Sequence, residues 1–251
     1  MRVLEAFGNG EQYLGLGEFV ALTGFDKPQV QRSTHTLVAT GYLEKHPQTG
    51  RFCLGKRCLD LSFHFLRTHP LVLMATPVLL QLRRDCGERT NLSLFDRTTL
   101  VYVIRLHGKR EYPQFSTLIG RRMATFCSAG GRAMLATLQN DEVRQILADS
   151  DLAPMTADTI TDPGRIMVEI EKTRERGYGF VFNESAPSEV TVAAAVVDAA
   201  GRPFAAVHIA GSLTKWSPGE YEERFSPFVV ETARSLSHLG SGLLRSGAKG
   251  V

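Results

Sequence analysis

The feature that most constrains this chain is a pair of amphipathic helical patterns that meet at a glycine near the N-terminus. Leu16, Phe19, Val20 and Leu22 share one helical face, and their pattern stops at Thr23-Gly24. Glycine takes the left-handed conformation of a helix end without strain, so Gly24 marks a tight turn. A second helix begins almost at once. Asp26 stands at its N-cap with Gln29 three positions on, which is the capping-box spacing. Pro28 falls in the first turn, where an amide needs no intrahelical partner. The pattern carries this helix over 27–40, and Gly41 ends it. With a short amphipathic helix over 2–7 in front, this is the sequence form of a helix-turn-helix.

At about 100° per residue, the second helix separates into two faces. Val30, Thr34 and Leu37 fall together and are expected to pack on the preceding helices. Arg32, His35, Thr36 and Ala39 fall opposite, flanked by Gln29 and Gln31. That outer face is rich in donors and free of acidic groups, which suits a phosphate-lined major groove whose base edges Arg and Gln read bidentately. A solvated polar face would look similar on an isolated helix. The residues after Gly41 favour the groove: two strand-like runs, 42–45 and 51–54, flank the turn-forming His46-Pro47-Gln48-Thr49-Gly50. A hairpin directly after such a helix is a wing, and Arg51, Lys56 and Arg57 cluster at its far end, where phosphates or the minor groove would lie.

Charge limits what one copy can do. Residues 1–58 carry Lys/Arg at 2, 27, 32, 45, 51, 56 and 57 against Asp/Glu at 5, 11, 18, 26 and 44, a balance of +2. One copy therefore holds duplex DNA weakly, and two-fold assembly on a palindromic operator is expected to double the contacts.

The run 16–41, then Tyr42-Leu43-Glu44 and Thr49-Gly50-Arg51-Phe52-Cys53-Leu54-Gly55, resembles the N-terminal domain of IclR-type transcriptional regulators. The resemblance continues through Ala75-Thr76-Pro77-Val78-Leu79, through FCSAGGRAMLA at 126–136, and through Arg176-Gly177-Tyr178-Gly179 and Glu184. The chain departs from the family's pattern at Pro28-Gln29, where Ser-Thr is usual. It also departs at Ser33 and Thr34, where leucines are usual, and at Ala195, where a strand proline is usual. Arg32 is retained. The resemblance implies a GAF-like effector-binding domain after the wing. It also implies homodimers or homotetramers as dimers of dimers, and a possible contact with RNA polymerase.

The expected fold is α+β, with a winged helix-turn-helix over 1–57, a linker helix over 58–70 and the effector-binding and oligomerisation domain over 71–251. Apolar Leu61, Phe63, Phe65 and Leu66 give the linker helix, which either packs on a neighbour or serves as plain core. Beyond it, helices are expected over 77–86, 129–138, 142–148, 163–176 and 218–244. Strands are expected over 91–95, 100–106, 115–119, 178–183, 190–197 and 203–210.

Chemistry in this second domain reads as binding. HExxH, GxSxG and Walker loops are missing, and the histidines are scattered, so no enzyme and no catalytic residue is expected. Cys53, Cys58, Cys86 and Cys127 show no CxxC spacing, so neither a metal site nor a cofactor is expected, only unpaired thiols in a reducing cytoplasm. No apolar run approaches the roughly 18 residues of a membrane span. Cys127-Ser128-Ala129-Gly130-Gly131 leads into a helix whose free amides, with the Ser128 hydroxyl, are positioned for a carboxylate; plain capping by Ser128 fits as well. Arg121 and Arg122 are candidates for a counter-charge, and at most one of them faces inward, since adjacent strand residues face opposite ways. Ser188, Glu189 and Thr191 fall where the resemblance implies further ligand contacts. Glu189 is expected to point outward or to accept from a hydroxyl. Tyr102, Phe115, Met123 and Phe126 are candidates for apolar lining. Gly120-Arg121-Arg122-Met123 and Phe126-Cys127-Ser128 look like the subgroup that controls aromatic-acid catabolism, which implies an aromatic carboxylate effector such as a hydroxybenzoate; a short keto or hydroxy acid is the alternative.

Overall fold

In the computed structural model, residues 1–108 and 119–247 are described. The strand expected over 115–119, Phe115 included, lies outside them except for Ile119, which sits in a turn. The chain forms two compact units, Met1–Thr68 and His69–Val251.

The first unit is a winged helix-turn-helix. Helix α1 (Arg2–Glu5) runs into a 3-10 turn (Ala6–Asn9), followed by α2 (Leu16–Thr23) and α3 (Lys27–Ala39). Strands β1 (Leu43–Lys45) and β2 (Phe52–Leu54) pair antiparallel to form the wing, and α4 (Arg57–Thr68) follows. Val3, Phe7, Leu14, Phe19, Val30, Leu43 and Phe52 make its core. The buried Phe19 ring lies 5.6 Å from Phe7, edge-on, and 6.0 Å from Phe52, so one side chain ties α2 to both the entry turn and the wing. Leu14 and Phe52 exchange backbone hydrogen bonds of 2.9 and 2.8 Å, which anchor the wing to the segment before α2. Gly24 has φ +69°, the left-handed cap its position requires. The capping box forms in full: Gln29 N–H donates to Asp26 Oδ1 at 2.7 Å, and Asp26 N–H donates to Gln29 Oε1 at 3.2 Å.

The second unit is a mixed α+β domain. Its six-stranded antiparallel sheet has the order β5-β4-β3-β8-β7-β6, where β3 is Arg89–Asp96, β4 Thr99–Leu106, β5 Arg122–Ala124, β6 Gly179–Phe182, β7 Glu189–Val197 and β8 Pro203–Ser212. Helices α5 (Pro70–Cys86) and α9 (Pro218–Gly247) cover one face. Helix α6 (Ala129–Leu135) covers the other, backed by α7 (Asn140–Ala148) and α8 (Pro163–Arg176). Helix α5 begins seven residues before the expected start, with Pro70 at its N-terminus and Pro77 inside it. Pro77 deprives the Leu73 carbonyl of its helical donor, and Leu73 is exposed, so water is at hand for it. The short edge strand β5 had no alternating pattern to announce it. Helix α8 has the Asp162 cap and Pro163 start expected of it, with Arg165 N–H donating to Asp162 Oδ1 at 2.8 Å. No single helix among the described residues is long and apolar enough to cross a membrane.

Candidate nucleic-acid interface and ligand site

Helix α3 presents Gln29, Gln31, Arg32, His35, Thr36 and Ala39 to solvent and buries Val30 and Thr34, as its periodicity predicts. No acidic side chain pairs with Arg32 among the described residues, which leaves its guanidinium available to a base edge or a phosphate. The Thr36 hydroxyl donates to Arg32 O at 3.1 Å and keeps its lone pairs for a donor. Gln29 is different. Its Oε1 is engaged in the capping box, so a bidentate contact to adenine would break the cap.

Arg51, expected as a phosphate contact at the wing, also has partners within its own unit. Its Nη2 donates to Tyr13 O at 2.6 Å and to the Glu18 carboxylate at 2.9 Å, fastening β2 to the start of α2. Glu18 also receives the Gly15 N–H at 2.6 Å, and these two donors hold its carboxyl below the usual range, the backbone donor most. Arg57 donates to Thr40 O at 2.9 Å and lies over the Tyr42 ring, so it closes the end of α3. Lys45, Lys56 and Arg57 are exposed in this region.

In the second unit, strand register decides which polar side chains meet. Asn91 pairs with Arg105 on β4 and with His208 on β8, Arg89 pairs with Ala210, and Thr191 pairs with Ala210 from the other side. A bulge after Leu92 brings Tyr102 opposite Ser93. Since alternate residues share a face, Arg89, Asn91, Ser93, Tyr102, Arg105, Glu189, Thr191 and His208 all stand on the side of the sheet that α6 covers. Arg89, Asn91, Ser93, Tyr102, Thr191 and His208 are buried.

Among the described residues, positive charge predominates on this patch. Arg105 lies 4.4 Å over the Tyr102 ring, and its Nε and Nη1 are buried with no hydrogen-bond partner. Asn91 Oδ1 is also buried without a donor. Burial makes the Arg105 charge costly and lowers its pKa. Burial, and then the nearby Glu189 charge, pushes the Tyr102 phenol up to about 12. His208 is pushed down to about 3, by burial first and then by Arg105 and Arg89. The imidazole is therefore neutral, held by a 2.8 Å Nε2–Oγ hydrogen bond with Ser93. Gly130 of α6 lies against that ring; a Cβ there would stand 2.1 Å from His208 Cε1, so only glycine lets the helix approach.

The expected ligand residues divide between this face and elsewhere. Tyr102, Gly130, Glu189 and Thr191 belong to it. Arg122 does not: it is exposed on β5, bonded to the Asp96 carboxylate and, at 2.8 Å, to Thr99 Oγ1. Arg121 is the one of the pair whose charge reaches Tyr102 and Arg105. Phe126 and Cys127 are fully buried in the core shared with Leu135, Val143, Ile146, Ile166 and Ile170, where burial pushes the Cys127 thiol up to about 11. Ser128 caps α6, accepting from Gly131 N–H at 3.3 Å and donating to Ala124 O at 2.8 Å, so its hydroxyl is already committed. Ser188 is an exposed turn residue with φ +58°, its N–H on Asn183 Oδ1 and its carbonyl taking Leu213 N–H. Glu189 neither points outward nor takes a hydroxyl; it pairs with Arg89.

Arg89, Asn91, Ser93, Arg105 and His208 escaped the sequence reading. The alternation of β3 and β4 was visible, but its polar phase reads as a solvent face until α6 is known to cover it. The glycine-arginine segment has a second role. Arg132 is buried, with Nη1 and Nη2 each 2.7 Å from a Glu184 oxygen and Nε on Phe126 O at 2.8 Å. Ile160 N–H also donates to Glu184 at 3.0 Å, so every element of this bridge is satisfied.

Comparison with known proteins agrees with this architecture. Residues 1–47 match the IclR helix-turn-helix domain, and residues 63–238 match the bacterial transcriptional regulator IclR C-terminal domain. The chain is 25% identical to the Pca regulon regulatory protein of Pseudomonas putida over 238 residues, covering 95% of this chain and 81% of the relative. An IclR transcriptional regulator from Alicyclobacillus acidocaldarius superposes with a TM-score of 0.80 at 22% identity, covering 94% of this chain and 95% of that one. An IclR homologue from Microbacterium hydrocarbonoxydans, solved in complex with 4-hydroxybenzoate, gives 0.71 at 19% identity, covering 94% and 95%. With a family model spanning well over half its length, this chain is a member of the IclR family of DNA-binding transcriptional regulators.

Proposed function

We propose that the chain regulates a catabolic operon in response to a small carboxylate bound on the α6 face of the sheet. The observation that carries this reading is the pair of buried, partnerless donors on Arg105, which stand beside the Asn91, Tyr102 and His208 side chains. A buried cation with unmet donors is costly, and a carboxylate that accepts from it repays that cost. Aromatic-acid catabolism is the favoured setting, since one relative regulates a Pca regulon and another was solved with 4-hydroxybenzoate. A short keto or hydroxy acid is the second reading. It is favoured by the described lining, where Tyr102 stands among polar side chains such as Asn91, Ser93 and Thr191.

Operator recognition falls to α3, through Gln31, Arg32, His35 and Thr36, on a palindromic duplex. The protein acts as a homodimer or a dimer of dimers, which α4 supports by exposing Leu59, Leu61, Phe63 and Phe65 along an amphipathic helix with no buried residue. The test is thermal stability across a panel of aromatic, keto and hydroxy acids. The expected result is a concentration-dependent rise in melting temperature for the wild type that Arg105→Leu abolishes. A panel without any stabilising acid, or an Arg105→Leu protein stabilised like the wild type, contradicts the reading.

A further inference from the structure

We propose that the ligand of the α6 face is a dicarboxylate, one carboxylate binding Arg105 and the other displacing Glu189 from Arg89. The proposal rests on the carboxylate reading above and adds to it the charge class of the ligand and a role for Glu189.

The site has two cationic anchors on neighbouring strands. Asn91 is the residue opposite Arg105, so Arg89, two residues along β3, is its diagonal neighbour across the pair. Diagonal neighbours stand about 7–8 Å apart, within the span of one short two-ended acid held by two long side chains. Arg89 already carries a carboxylate, that of Glu189. The two partners are unequally committed: the Arg89 side chain is 5% exposed and that of Glu189 is 23% exposed. Glu189 can return to water, whereas Arg89 cannot. An exchange of one carboxylate for another on Arg89 therefore preserves the ion pair where desolvation is most costly.

Charge points the same way. Among the described residues, Arg89, Arg105, Arg121 and Glu189 are the charges that act on Tyr102, and His208 and Tyr102 are neutral. Arg89 and Arg121 each disfavour the charge on Arg105. A dianion places one negative charge at each arginine, so the charge of the departing Glu189 is replaced on Arg89 and Arg105 gains a counter-charge of its own. The position of Glu189 also gives the exchange an outlet. It opens β7 immediately after Ser188, whose left-handed turn bonds to Asn183 on one side and to Leu213, at the end of β8, on the other. Releasing Glu189 from Arg89 loosens the point where these segments meet.

The test is isothermal titration of the full chain with two matched pairs, butyrate against succinate and benzoate against terephthalate. In at least one pair the dicarboxylate is expected to bind the wild type about tenfold tighter or more, the worth of one charge-assisted contact. Glu189→Gln is expected to widen that ratio, because a neutral amide competes weakly for Arg89. Equal affinities within both pairs overturn the proposal, and so does a ratio that Glu189→Gln leaves unchanged. If no acid binds the wild type, or if binding survives Arg105→Leu, the carboxylate reading itself fails and the dicarboxylate falls with it.

Discussion

His208 shows how much one residue can reveal about its surroundings. A histidine at the centre of a sheet, between Asn91 and Ala193, is stable only as the neutral ring, since Arg89 and Arg105 leave no room for another positive charge. Its folded pKa of about 3 lies below the ordinary 6.5, so the unfolded chain binds the extra proton between those values. Stability from this group is therefore complete above about pH 6.5 and is lost as pH falls toward 3. Chemical denaturation across that range should show a shallower pH dependence in His208→Gln than in the wild type; identical slopes would mean that the imidazole is not held neutral. The Arg132–Glu184 bridge makes a second claim at this scale. Removing one partner strands a buried charge, so Glu184→Ala is expected to cost about 3–5 kcal/mol in equilibrium unfolding. A cost near zero would show that water reaches Arg132.

At the scale of elements, local signals and tertiary coverage contributed unequally. Helices α2 and α3 were legible because their boundaries are set locally, by Gly24, by the Asp26–Gln29 box and by Gly41. Asp26→Ala should cost about 1 kcal/mol by urea unfolding and shift the far-UV signal of α3; an unchanged midpoint would mean the helix start is fixed by packing alone. The wing was legible too, yet the partner of Arg51 was not, because Glu18 lies 33 residues away and nothing local links them. The polar face of β3 and β4 was missed for a related reason. Alternation tells which residues share a face, and only tertiary structure tells whether that face meets water or α6. The loop around Ser128 carries the local sequence signal, yet its hydroxyl serves the helix cap and the Ala124 carbonyl. The choice between Arg121 and Arg122 likewise waited on β5, whose pairing with β4 turns Arg122 toward Asp96.

At the scale of the molecule, one unit carries an exposed donor-rich helix and the other a covered cationic patch. A regulator needs both, with the second altering what the first does. The charge of the winged unit is modest and α4 exposes apolar side chains, and the proposed function joins the two by placing two copies on one operator. Under the proposed function, a carboxylate at Arg105 governs DNA binding. The direct measurement is fluorescence anisotropy of a labelled operator fragment, selected from random duplexes by the wild type and titrated with a stabilising acid. The expected result is an acid-dependent change in wild-type affinity that Arg105→Leu loses while binding the same operator as tightly as the acid-free wild type. An Arg105→Leu protein that responds to the acid as the wild type does would contradict the account.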